Sequence, residues 1–367
     1  MNLELPSVVL GQKMMEHSPP FDIFKGVQYP SYDRSTRIQS ILQSIEELRG
    51  DSTLDIIHRS IFSTDLIGRV HDTDYIEFLY KTSERLKQAP PIRVPVIDKK
   101  DKTKASVIEV PAFEYPTVFP HGITARSQNA VSNQGVYSFD TETPIMGNTY
   151  EVALDAAMTS LTGADMLLHG KRNVYVLTRP SGHHAEHGRM GGYCYFNNAA
   201  IASQYLYDKT SSQIAILDID AHHGNGTQDI FYNTRNVYYV SIHSDPSQSA
   251  PYFSGFEDEI GAGLGLGANK NISLSLGSGE KEFFPALDIA IGEIRQQTPK
   301  FLVVSFGSDG HQQDPVGLFT LETKSYKHIA KRIASLNIPI LSVQEGGYGP
   351  AVGENVVSYL QGFSSKI

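Results

Sequence analysis

Asp218, Asp220 and His222 alternate within the stretch 214–231, IAILDIDAHHGNGTQDIF. A carboxylate and an imidazole two residues apart suit a borderline cation such as zinc, iron or manganese better than magnesium, which prefers an all-oxygen, water-rich shell. If the strand that opens the stretch continues past Leu217, these side chains share one face, and Asp220 and His222 can approach one ion. A third ligand is needed. Asp309, in GSDGHQQDP, is the best candidate, because it follows an apolar run as Asp220 does. Three protein ligands leave one coordination position open, the mark of a catalytic site. An open zinc site polarises a carbonyl and lowers the pKa of bound water to about 7, which is hydrolytic chemistry.

His183 and His184, in RPSGHHAEHG, supply an acid and a base for that chemistry. Each imidazole needs a partner to fix its tautomer, and Asp218 and Asn225 are those partners by position. A carboxylate behind one ring raises its pKa, and an amide behind the other does so much less, so the pair divides general-acid and electrostatic roles. Tyr348, after two glycines, can set its hydroxyl against a developing oxyanion, where one such donor is worth about 3 to 4 kcal/mol.

The elements that must position these groups follow a rhythm. Helical patterns at 149–169, 196–208, 282–297 and 323–336 alternate with apolar runs at 174–177, 214–217, 237–242, 271–276, 301–306 and 338–343. Such alternation predicts an α/β fold, a single domain with a largely parallel central sheet and helices on both faces. Five of the runs end in loops rich in His, Asp, Gly and Tyr. Ligands gather beyond the carboxyl ends of parallel strands, so the five loops converge on one rim. Upstream, residues 1–35 read as loop, a helix follows from Ser35 or Thr36 with Gly50 as its stop, and a second helical pattern starts near Asp72 or Thr73 and fades after Tyr80. The segment 89–122 carries six prolines and reads as a long loop; its apolar and aromatic residues predict that it packs against its own domain or a second subunit. The charge run at 98–104 reads as a solvated turn.

Composition narrows the class. The 367 residues are 40% hydrophobic and 19% charged, as in an ordinary globular protein, and the net charge of −9 argues against a general nucleic-acid binder. Cys194 is the only cysteine, which excludes an internal disulfide and a cysteine-rich metal site; it reads as a small packed side chain. No run of 18 apolar residues and no signal-like N-terminus is present, so the expectation is a cytoplasmic protein without membrane contact. His17, His58, His71, His121, His169 and His328 read as surface or supporting groups.

RPSGHHAE, DIDAHHGNGTQDIF, GSDGHQQDP and EGGYG, with DRSTRI at 33–38, VHDTDYIEFL at 70–79 and GGYCYFNNAAIA at 191–202, resemble the histone deacetylase family, especially its class II and bacterial acetylpolyamine amidohydrolase branch. The motifs are several, separated and in the family's order. The resemblance implies an arginase/deacetylase-like fold in which Asp220, His222 and Asp309 bind a catalytic zinc, His183 and His184 are the paired histidines and Tyr348 polarises the acetyl carbonyl. It also implies that Tyr193 walls the substrate tunnel and that Glu142 holds the substrate's backbone or amine. Asp218, Ser241 and Ile242, with the backbone of Asp220 and His222, match the family's inner structural potassium site; Phe231, Thr234 and Val237 match the outer one. Val316 stands where the polyamine-selective animal branch has an acidic gatekeeper, whereas the Pro-rich 89–122 region resembles the dimer-forming insertion of the bacterial polyamine enzymes.

The reading is a zinc-dependent amidohydrolase, with iron or manganese as substitute metals, that removes acetyl or short acyl groups from acetylpolyamine or acetyl-lysine peptide substrates, as a homodimer. Two other readings stay open: an arginase-like hydrolase with two manganese ions, and a non-catalytic, metal-stabilised binding module.

Overall fold

The computed structural model describes residues 5–24, 26–51, 54–97, 105–120 and 133–364. His121 and the charge run at 98–104 lie outside the described residues. The first half of the chain carries short strands and two helices: β1 (Ser7–Leu10), β2 (Asp22–Phe24), β3 (Val27–Tyr29), α1 (Ser35–Asp51), β4 (Ile56–His58), α2 (Thr73–Gln88), β5 (Ile92–Ile97), β6 (Ala105–Val110), β7 (Phe113–Glu114) and β8 (Ile145–Met146). The second half alternates: α3 (Thr149–Leu168), β9 (Asn173–Leu177), α4 (Asn198–Thr210), β10 (Ile214–Asp218), α5 (Asn225–Phe231), β11 (Val237–Ser244), β12 (Asn269–Leu274), α6 (Glu280–Gln297), β13 (Phe301–Phe306), α7 (Thr323–Ala334), β14 (Ile340–Gln344) and α8 (Val352–Phe363).

Eight strands form one sheet in the order β12-β11-β10-β13-β14-β9-β1-β4, and every pair is parallel. Each β10 residue is buried, and the strand's alternation divides the core. Ala215 and Leu217 pack with α1, α6, α7 and α8 through Ile38, Phe283, Ile329 and Val356. Ile214 and Ile216 pack with α2, α3 and α4 through Phe78, Leu161 and Ala199. A sheet buried on both faces needs apolar residues at successive positions, which is what these runs supply. The close fit of α3 needs a glycine: a Cβ on Gly163 would lie 2.6 Å from both Leu341 Cδ1 and Val176 Cγ2.

The chain leaves β10 for β11 and β12, then crosses back to β13 on β10's other side. The point where strand order reverses therefore lies between β10 and β13, and a crevice opens there beyond the strand ends. The loops carrying Asp220 and Asp309 flank it.

Several sequence expectations are corrected. Residues 1–35 are not all loop: β1 lies in the main sheet between β9 and β4. Helix α2 runs to Gln88, because buried Thr82 and Ser83 continue its inner face with polar side chains that hide the period. Strand β10 stops at Asp218, so Asp220 and His222 lie on a turn rather than on alternating strand positions. That turn is built by local acceptors, with the Asp220 N–H donating to Asp218 Oδ1 at 3.2 Å and the His222 N–H to Asp220 Oδ1 at 3.0 Å. Helix α5 follows directly from this turn, starting at Asn225.

The Pro-rich segment is not a structureless loop either. Strands β5 and β6 form an antiparallel hairpin in which Pro95 pairs with Val107. Both strands of a two-stranded ribbon are edges, so a proline's missing N–H is tolerated there. The segment packs on its own domain: β7 pairs with β8, the Tyr115 hydroxyl donates to the Phe21 carbonyl, and Arg85 donates to Glu114 at 2.8 Å. Val107, Ile108, Val118 and Phe119 remain exposed.

Candidate active site

At the crevice, Asp220, His222 and Asp309 bring one ligand atom each within 4.8 Å of the others, the one such group among the described residues. Asp220 and Asp309 are buried, and His222 faces the opening. Backbone donors aim the carboxylates: Gly346 N–H at Asp220 Oδ2 (2.8 Å) and Ala221 N–H at Asp309 Oδ1 (2.9 Å). Two glycines keep space around them, since a Cβ on Gly307 would lie 2.1 Å from Asp220 Oδ2 and one on Gly346 would lie 2.9 Å from Asp309 Oδ2.

The charges are those of a cation site. Burial, then the neighbouring Asp220 carboxylate, pushes Asp309 up to about 7. Burial would raise Asp220 too, but His183 and His222 outweigh it and hold the carboxyl below its usual range. Two buried carboxylates around one imidazole cannot both stay ionised cheaply without a positive charge between them. A nitrogen and two carboxylate groups match what a borderline divalent ion takes, so the residues fit a resident metal.

The paired histidines stand beside this group, with ring centroids 4.1 Å apart. His183 Nδ1 is 3.0 Å from Asp218 Oδ2, which also accepts from the Tyr239 hydroxyl at 3.1 Å. His184 Nδ1 donates to Asn225 Oδ1 at 2.7 Å, and the Asn225 amide is fixed by its own Nδ2 donating to Glu186 Oε1 at 2.9 Å. The two rings titrate in opposite directions. Burial would lower His183, but Asp218 and Asp220 outweigh it and push it up to about 10. Burial, reinforced by the charges of His183 and His222, holds His184 well below its ordinary value. Gly192 makes room for the second ring, because a Cβ there would lie 2.2 Å from His184 Cδ2.

Tyr348 arrives on the Gly346-Gly347 turn, where Gly347 has φ +120. Asp314 Oδ2 accepts the Tyr348 and Gly349 N–H groups at 2.6 and 2.8 Å, and the Arg37 guanidinium lies 4.8 Å from the phenol ring's centre. Burial raises the Tyr348 hydroxyl well above its usual range, so it is a donor.

A cavity of about 250 Å³ is lined by both histidines, Asp220, His222 and Tyr348, and also by Glu142, Tyr193 and Val316. A second cavity of about 360 Å³ shares Glu142, Tyr193, His222 and Val316 and adds Asp22 and Tyr32. Tyr193 has φ +65, and its hydroxyl donates to Asp22 Oδ2 at 3.1 Å. All the residues expected for metal, catalysis and substrate thus meet in one place.

The residues of the expected potassium sites lie apart from this cavity. Asp218 and Ser241 are cross-strand partners, Ser241 Oγ is 2.7 Å from His243 Nδ1, and Ile242 is buried. Val237 opens β11, and the Phe231 carbonyl accepts the Thr234 N–H at 3.1 Å.

Sequence reasoning missed four contributors. Asp22 is 2% exposed, and its Oδ1 has no hydrogen-bond partner among the described residues. Tyr252 and Phe253 line the same cavity as Tyr193. Glu345, wholly buried beside the Gly-Gly-Tyr turn, is pushed up to about 7 by burial. Only the dense aromatics of the first 35 residues, read as loop, hinted at the rim around Asp22.

A parallel sheet with a carboxylate–imidazole metal cradle, twin histidines and a phenol at its carboxyl rim defines a hydrolase of the metal-site α/β class. The histone deacetylase domain matches residues 31–362, and the chain belongs to that family of deacetylases. It is 35% identical over 353 residues to acetylpolyamine amidohydrolase 1 of Pseudomonas aeruginosa, covering 95% of each chain. It is 34% identical over 342 residues to the acetylpolyamine amidohydrolase of Mycoplana ramosa, covering 93% of this chain and 94% of that one. The crystal structure of an acetylpolyamine aminohydrolase from Burkholderia pseudomallei superposes with a TM-score of 0.87 at 32% identity, over 98% of this chain and 99% of that one.

Proposed function

We propose that this chain is a zinc-dependent acetylpolyamine amidohydrolase that cleaves the acetyl group from an amine whose far end carries a positive charge. The observation that carries the reading is the pair of carboxyl groups, Asp22 and Glu142, which line a cavity with His222; Glu142 and His222 also line the adjoining cavity that reaches Asp220. Aromatic rings of Tyr32, Tyr193 and Tyr252 surround them, and carboxylates interleaved with aromatic faces suit an ammonium group. The named relatives act on acetylpolyamines, which supports the same substrate class here.

Asp220, His222 and Asp309 would hold the ion, which supplies Lewis acidity to the amide carbonyl and acidity to a water molecule when bound. The protein's own groups do the rest. His184, kept neutral by burial and by the charges of His183 and His222, and oriented by the Asn225 amide, accepts the water's proton at Nε2 as the oxygen attacks the acyl carbon. It then passes that proton to the departing amine nitrogen as the C–N bond breaks. His183, charged against Asp218, and the Tyr348 hydroxyl stabilise the negative charge that develops on the carbonyl oxygen. Asp218, Ser241 and Ile242, and separately Phe231, Thr234 and Val237, would hold structural potassium ions, which would stiffen the strand ends behind the histidines. The exposed Val107 and Ile108 of the hairpin support a homodimer through that ribbon.

The test is a side-by-side assay of acetylputrescine, acetylspermidine and acetyl-lysine peptides with enzyme of defined metal content. The polyamines should show the higher kcat/KM. A preference for peptides would overturn the substrate assignment, and no turnover on any of them would overturn the whole reading.

A further inference from the structure

Glu345 has no role in the chemistry above, yet it joins the His183 segment to the turn that carries Tyr348. Its Oε2 accepts two backbone N–H groups, from Gly182 at 2.6 Å and from His183 at 3.2 Å. Its carbonyl accepts from the Arg37 guanidinium, whose Nε donates to the Gly347 carbonyl at 2.8 Å and which lies against the Tyr348 ring. The next N–H in the chain, that of Gly346, goes to Asp220. The other carboxyl oxygen, Oε1, is buried with no hydrogen-bond partner among the described residues.

A carboxyl group buried with no cationic side chain hydrogen-bonded to it is costly to keep, and an apolar side chain would pack the same space at less cost. What it provides is a single acceptor on which two successive N–H groups converge. That convergence allows the 182–183 backbone one orientation, and the His183 ring direction follows from it. We propose that Glu345 is a positioning residue that locks the His183 segment to the Tyr348 turn, so that imidazole, phenol and Asp220 keep their mutual spacing. The proposal rests on the catalytic reading of His183 and Tyr348 given above.

Two substitutions separate acceptor geometry from charge. Glu345→Gln keeps an oxygen at the same reach and removes the ionisable group. Glu345→Asp keeps the ionisable group and withdraws the acceptor by one carbon–carbon bond, about 1.5 Å. A misplacement of about 1 Å in a catalytic group costs on the order of 100-fold in rate. The expected result is therefore a kcat for E345Q close to that of the unaltered enzyme, and a kcat for E345D lowered about 100-fold with KM and metal content held. Melting temperatures measured alongside identify a variant that has simply lost its fold; should E345D be unfolded, Glu345→Ala takes its place with the same expectation. The proposal is overturned if E345Q is as slow as E345D, if E345D keeps full kcat, or if the loss falls on KM or metal content. Inactivity of the unaltered enzyme would strike the proposed function instead, and is seen before any variant is made.

Discussion

Asn225 offers its amide oxygen to His184 at 2.7 Å, while Asp218 offers a carboxylate to the adjacent His183 at 3.0 Å. Asp218 and Asp220 keep His183 charged, while burial and the neighbouring charges keep His184 neutral with only an amide behind it. Asn225→Asp puts a carboxylate behind both and keeps His184 protonated, so it can no longer take a proton from water. We expect kcat at neutral pH to fall about 10- to 100-fold with KM and metal content unchanged. Steady-state kinetics with metal analysis check this, and an unaltered kcat would remove His184 as the base.

Tyr348 sits on a turn pinned by Asp314 and Arg37, and its ring centroid lies 5.8 Å from that of Tyr193. Removing only its hydroxyl, by Tyr348→Phe, leaves these contacts intact. Turnover should drop about 100- to 1000-fold, because a donor aimed at developing charge has been lost. A loss confined to KM would instead make the phenol a ground-state contact.

Much of this was legible in the sequence, and the reasons are physical. β10, β11, β13 and β14 are buried on both faces, so they read as unbroken apolar runs, and the chemistry sits at their carboxyl ends. β1 and β4 are four and three residues long, too short for any period to show. The hairpin hid behind its prolines. Asp22 meets Tyr193 across 171 residues, and Glu345 meets Gly182 across 163, so neither partnership leaves a local trace. Motif spacing picked out the residues that meet at the crevice and the side chains Asp218 and Asn225 behind the histidines; it could not find Glu345, whose Oε2 partners are backbone N–H groups with no sequence identity.

The metal cradle predicts a coupling between ion and fold. Asp220 and Asp309 are buried carboxylates whose mutual repulsion an ion relieves, so removing it should destabilise the native state as well as stop the reaction. Dialysis against a chelator should abolish turnover and lower Tm, and added zinc should restore both. In Asp309→Ala neither activity nor the zinc-dependent rise in Tm should appear. A Tm indifferent to chelator would place the ion elsewhere.

The acidic cavity predicts how substrate binding changes with pH. Burial, with added repulsion from Asp140, pushes Glu142 up to about 8, and burial pushes Asp22 up to about 6. Both groups therefore gain their charge between about pH 6 and 8, later than an exposed carboxyl would. KM for acetylputrescine should fall as pH rises through that window, whereas KM for an acetylated amine lacking a second amino group should stay flat. Stability must run the other way. A carboxyl whose folded pKa lies above its unfolded value holds more protons in the native state, so native stability declines as pH climbs from the unfolded value toward about 8. Glu142→Gln removes the share of both effects that Glu142 carries and leaves that of Asp22. Its KM for acetylputrescine should rise about tenfold or more at pH 8, the cost of one charged contact, and its Tm at pH 8 should exceed that of the unaltered enzyme. If KM and Tm of this variant moved together in the unfavourable direction, Glu142 would be a structural group and the ammonium subsite would have to lie elsewhere.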